Sequence, residues 1–127
     1  MSLDLKAANG IRYAHVHFKA PDPAGHRLEV EEAMAWIKAQ PDAAARAVFE
    51  GMDKIDISEH MAFYRQKATE ARPKCGAFAF VGITGMSAIF FNYIILFAGM
   101  PMRMVPTLQD AVAWISSPDR ESRADKA

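Results

Sequence analysis

A single cysteine, Cys75, stands in this chain of 127 residues, so no internal disulfide can form and no thiolate cluster is available for zinc. An excess of charge is lacking too. Fifteen Lys and Arg balance fifteen Asp and Glu, which removes the simplest electrostatic case for nucleic acid or an anionic membrane as partner. Neither a Walker loop nor a dinucleotide fingerprint occurs, and the residue pattern calls for no cofactor and no metal. The opening Met1-Ser-Leu-Asp-Leu-Lys6 places an acid where a secretory signal needs an unbroken apolar core, so a cytoplasmic location is expected. The last absence is local: from Cys75 to Met102 there is no charged side chain at all.

Hydrophobic residues make up 51% of the chain, enough to build a core without staples. No linker or composition break divides it, so residues 1–116 are expected to form one domain and residues 117–127 a polar, flexible tail. The uncharged stretch is long enough to span a bilayer, but its punctuation argues against that. Gly76 to Val81 reads as a buried strand, Gly82-Ile-Thr-Gly85 as a turn, and Ser87 to Ala98 as a helix stopped by Gly99 and Pro101. That helix would reach roughly 18 Å, short of the ~30 Å hydrocarbon core, so no stable membrane insertion is expected.

The rest of the chain alternates in the same way. Asn9-Gly10 is a strong hairpin signal between residues 3–8 and 11–18, with Ile11, Tyr13, His15 and His17 sharing a strand face. Pro21 to Gly25 reads as a loop or an irregular lead into a helix. Val30, Ala33, Met34 and Ile37 then repeat at helical spacing over residues 28–40. Ala44 to Phe49 is a short buried strand, and Ser58 is placed to cap a helix over residues 59–71 that Pro73 closes. Met102 to Val105 reads as the last strand. Thr107-Leu-Gln-Asp110 resembles a capping box ahead of Leu108, Ala111, Val112 and Ile115 at i, i+3, i+4 and i+7. The segment Glu32 to Ile37 echoes Asp110 to Ile115, as two helices meeting similar packing demands would. The predicted class is α/β: a mixed four- to five-stranded sheet with an N-terminal hairpin and about four helices.

This order resembles the STAS domain of bacterial anti-sigma-factor antagonists, and especially its SpoIIAA-like relatives. Two stretches carry the resemblance. Ala44 to Ser58 is similar to the family's second strand and Ile-Asp-Ser-Ser-Gly turn, read here as Ile55-Asp56-Ile57-Ser58-Glu59. Met102 to Ile115 is similar to its last strand, Thr cap and final helix. The resemblance implies STAS architecture and a non-catalytic regulatory or protein-interaction role, with Asp56 and Ser58 at the family's site. The chain departs from the pattern at Ile57, which stands where the family carries its phosphorylated hydroxyl, and at Glu59, which replaces a glycine. A carboxylate beside Ser58 opposes an incoming phosphate, so phospho-switching by the usual route is not expected.

Several constellations could carry chemistry. His15 and His17 could chelate a metal with His26 or His60, but no spacing indicates a third ligand, and packed or solvated positions are the expectation. Ser58, His60 and Asp56 contain the residue types of a hydrolase triad but lack a nucleophile elbow, and catalysis is not expected. Arg65, Lys67, Arg72 and Lys74, interleaved with Glu70, read as a solvated helix face. Gly82, Thr84, Gly85 and Ser87 form a candidate anion or ligand turn at a helix N-terminus, with a plain strand-to-helix turn capped by Ser87 as the simpler reading.

The helix 87–98 is the unusual object, because only Asn92 and Tyr93 interrupt its apolar run. A sheet-packed helix should present a polar outer face, so something is expected to cover this one. The expected interaction surface comprises Ile89, Phe90, Phe91, Tyr93, Ile94, Leu96 and Phe97. Its occupant would be a second copy, giving a homodimer, or a partner protein. The alternative is a carrier or sensor of a small apolar ligand or lipid held between this helix and the sheet.

Overall fold

In the computed structural model, which describes residues 1–117, Asn9 and Gly10 both take left-handed backbone, with φ of 53° and 76°. A two-residue hairpin turn requires that conformation, and it joins strand β1 (Ser2–Ala8) antiparallel to β2 (Ile11–His17). The chain continues through α1 (Pro23–Lys38), β3 (Ala45–Glu50), two 3-10 turns (Met52–Lys54 and Ile57–His60) and α2 (Met61–Ala71). It ends with β4 (Cys75–Val81), α3 (Gly85–Ala98), β5 (Met102–Val105) and α4 (Leu108–Ile115). The result is the predicted α/β class, a five-stranded mixed sheet with an N-terminal hairpin and four helices. Residues 118–127, most of the expected tail, lie outside the described residues.

Strand order follows chain order, β1-β2-β3-β4-β5, and every neighbour from β2 onward is parallel. Parallel crossovers are right-handed, so three successive crossovers stepping in one direction must all lie on the same face. The packing agrees: Val30, Met34 and Ile37 of α1, Tyr64 and Ala68 of α2, and Phe91 and Ile94 of α3 share one core with Val16, Phe49, Phe78 and Phe80. On the opposite face, among the described residues, α4 alone packs, through Ala111, Trp114 and Ile115, over Tyr13, Val48, Ala77, Ala79 and Val105. The alternation along β4 serves this asymmetry, with phenylalanines towards three helices and fully buried alanines where α4 sits close.

Two caps, those read at Ser58 and Ser87, differ from the ones expected. Helix α1 begins at Pro23, within the segment read as a loop or an irregular lead into a helix, because Asp22 accepts a bond from Gly25 N at 2.6 Å and Pro23 occupies the first turn. Ser58 does not cap α2. Asp56 caps the 3-10 turn instead, accepting from Ser58 N at 3.1 Å, and α2 starts at Met61 without a side-chain cap. Ser87 lies inside α3, whose N-cap is Thr84 with no side-chain bond. The capping reading of Thr107 holds, since its hydroxyl accepts from Asp110 N at 3.1 Å.

Candidate functional site

Helix α3 has two apolar faces. Phe91, Ile94 and Ala98 point at the sheet and are buried, whereas Met86, Ile89, Tyr93, Leu96 and Phe97 are all about half or more exposed. This corrects the expected surface at two positions. Phe91 and Ile94 belong to the core, and Phe90 is half-buried. The geometry is simple: at 100° per residue, positions 91, 94 and 98 share a stripe that 89, 93 and 96 cannot join. The helix is held in place at its C-terminus, where the Arg72 guanidinium donates to Ala98 O at 2.7 Å and Phe97 O at 3.3 Å. Gly99 ends it in left-handed backbone at φ 60°.

Beneath α3 lies a cavity of about 70 Å³ between the sheet and helices α1, α2 and α3, walled by Phe49, Phe78, Phe80, Phe91 and Ile94. Alanines (Ala33, Ala68 and Ala71) and Met34, Met52, Met100 and Met102 also line it.

Next to this cavity is a polar cluster without a local sequence signal. His26 of α1 is fully buried, its Nε2 lies 2.6 Å from the Tyr64 hydroxyl, and its ring meets those of His60 and Phe18 edge-on at 5.2 Å. Among the described residues the His26 Nδ1 has no hydrogen-bond partner. Arg27 Nε donates to His60 Nδ1 at 3.2 Å. Burial, then the facing His60 and Arg27, pushes His26 down to about 4 against the opposing pull of Glu29. Burial and Arg27 lower His60 as well, and burial raises the Tyr64 phenol.

The remaining candidates scatter. His15 is engaged by Glu50 and by Lys6 Nζ, while His17 is exposed, so neither meets His26 or His60. Among the described residues no three His, Cys, Asp or Glu side chains converge as a metal set. Ser58 donates its hydroxyl to Asp56 at 2.6 Å, while His60 is buried and faces Arg27, so these three residues form no relay. Ile57, next to Asp56 and Ser58, is fully buried. Of the basic residues expected on a solvated face, Arg65 and Arg72 are exposed and Lys67 and Lys74 half-buried; Lys67 pairs with Glu31 at 2.5 Å, Lys74 with Asp42 at 2.9 Å, and Arg72 bonds the end of α3.

A polar cleft of about 420 Å³ opens at the C-terminal ends of β2, β3 and β4, where open α/β sheets commonly place ligands. His17, Lys19, Glu50, Asp53 and Lys54 line it. Of the candidate turn only Gly82 reaches it; Thr84, Gly85 and Ser87 do not. Gly51 forms part of its wall at φ 93°, and a Cβ there would sit 2.3 Å from the Phe18 carbonyl oxygen.

The Asp56 cap gives a direct test. Asp56→Ala removes the acceptor for both Ser58 N and Ser58 Oγ and should cost about 0.5–2 kcal/mol, whereas Ser58→Ala keeps the backbone bond and should cost less. Thermal denaturation of the two variants should preserve that order, and the reverse order would restore Ser58 as the cap.

Comparisons by family model, by curated protein and by solved structure return no match to this chain. Among the described residues no helix is long and apolar enough to cross a membrane.

Proposed function

We propose that this chain is a non-catalytic, STAS-like docking module, and that the outer stripe of α3 pairs with a second copy of the same chain. The observation that carries the reading is the run Met86, Ile89, Tyr93, Leu96 and Phe97, exposed along one side of a 14-residue helix. Such a run forms an apolar patch of the kind that usually marks an interaction site on a soluble chain. A second copy is favoured by charge. The chain carries no charge from Cys75 to Met102, so placing the stripe on itself about a two-fold axis brings together no like charges of the helix itself. Support for a non-catalytic role comes from the titratable candidates, since His26 and His60 are closed off from solvent and the Ser58 hydroxyl is taken by Asp56. The likeness to STAS domains rests on the turn Ile55–Glu59 and the ending Met102–Ile115, joined by the order of elements.

Sedimentation equilibrium at micromolar concentration should give twice the chain mass. The double variant Ile89→Glu/Leu96→Glu should sediment as monomer with unchanged circular dichroism, because both side chains lie outside the core. A wild-type chain that sediments as monomer throughout that range overturns the pairing.

A further inference from the structure

The cavity beneath α3 has polar side chains in its wall but none of them free. Only Tyr64 and Lys67 among its lining residues carry a polar side-chain atom. The Tyr64 hydroxyl is taken by His26 at 2.6 Å, and the Lys67 ammonium by Glu31 at 2.5 Å and Glu70 at 3.4 Å. A buried water needs two to four polar partners, so this space holds water poorly and an apolar molecule well. We propose that the cavity is a binding site for a small, neutral, apolar molecule, up to a single aromatic ring or a short branched hydrocarbon.

Size sets the upper bound. An apolar cavity of about 150 Å³ takes benzene, and the space here is about 70 Å³. As built it admits an atom or molecule the size of xenon. A ring enters once the flexible thioether side chains of Met34, Met52, Met100 and Met102 change rotamer, which costs methionine little. Access has a place as well, because Lys67, Met100 and Met102 are half-buried while the other lining residues are buried. Charge selects a neutral ligand. Lys67 is already balanced by two carboxylates, so an anionic head group at that mouth would meet Glu31 and Glu70. The space itself comes from Ala33, Ala68 and Ala71, small residues where two helices face the sheet. This site is independent of the pairing proposed for the outer stripe.

The probes are benzene and xenon. Benzene at about ten times its Kd should raise the Tm of the wild-type chain by about 5 °C. It should raise that of Ile89→Glu/Leu96→Glu equally, which separates the cavity from the exposed stripe. Ala68→Leu fills the space and should abolish the shift; Ala33→Val gives the same reading should the leucine prevent folding. Xenon under pressure should move the methyl resonances of Met34 and Met102. An unshifted Tm with benzene together with unmoved methionine methyls overturns the site. So does an equal benzene shift in a folded, cavity-filled variant.

Discussion

Phe91→Ala is expected to cost about 3–5 kcal/mol of folding stability, whereas Leu96→Ala, five residues along the same helix, should stay within about 0.5 kcal/mol. Phe91 is 2% exposed, its ring lies 4.6 Å from that of Phe80 and 6.1 Å from that of Tyr64, and it walls the cavity. Truncating it would enlarge a space the surrounding helices already fail to fill, and the cavity term would add to the lost transfer energy. Leu96 is 69% exposed and has little burial to lose. Urea denaturation at a concentration where the chain is monomeric separates the two, and equal costs would mean that the sides of α3 are misassigned. For the same reason a charge at Phe91 should unfold the chain instead of dissociating a dimer, which is why Ile89 and Leu96 carry the test of pairing.

That contrast also explains which parts of the structure were legible in the sequence. The hairpin was, because Asn9-Gly10 is a local signal that dictates its own backbone. So were β5 and α4, where Thr107 caps a helix whose apolar period is clean. The sides of α3 were not. A period is read from the contrast between apolar and polar positions, and a helix that is apolar nearly all round supplies almost none. The start of α1 was missed for a related reason. Its first buried residue is His26, which an apolar pattern skips, although 26, 30, 33 and 37 continue one inward stripe. His60, Tyr64, Ala68 and Ala71 form a similar stripe through the 3-10 turn and α2. Admitting histidine and tyrosine to the inward positions would have found both stripes, but not their meeting, since His26 and His60 are brought together only by the parallel crossover. The echo between Glu32–Ile37 and Asp110–Ile115 has a packing explanation: Ala33 and Ala111 are both buried, on opposite faces of one sheet.

The buried histidines should make the fold sensitive to mild acid. In the unfolded chain a histidine titrates near 6.5, while in the fold burial holds His26 at about 4 and also lowers His60. Between those two values the unfolded state binds more protons than the folded one, so stability is fully present above about pH 6.5 and is lost as pH falls towards 4. His26 alone accounts for about 3 kcal/mol across that window, and His60 acts in the same direction. The groups facing His26 do not reverse the sign: Glu29 opposes the shift, but its pull is already contained in the lowered value. Glu29 and Glu70 are themselves held below the usual carboxylate value of 4.5, so their contribution is lost as pH falls from about 4.5, the value of the unfolded chain, and the range from pH 7 to pH 5 reports mainly the histidines. Urea midpoints at pH 7, 6 and 5 should therefore fall steadily. His26→Gln keeps a side-chain amide for the Tyr64 hydroxyl but does not titrate, and it should flatten that fall by close to one proton's worth. Stability that is level from pH 7 to pH 5 would show that His26 is not held neutral by its burial, and a slope that His26→Gln leaves unchanged would show that the proton is taken up elsewhere.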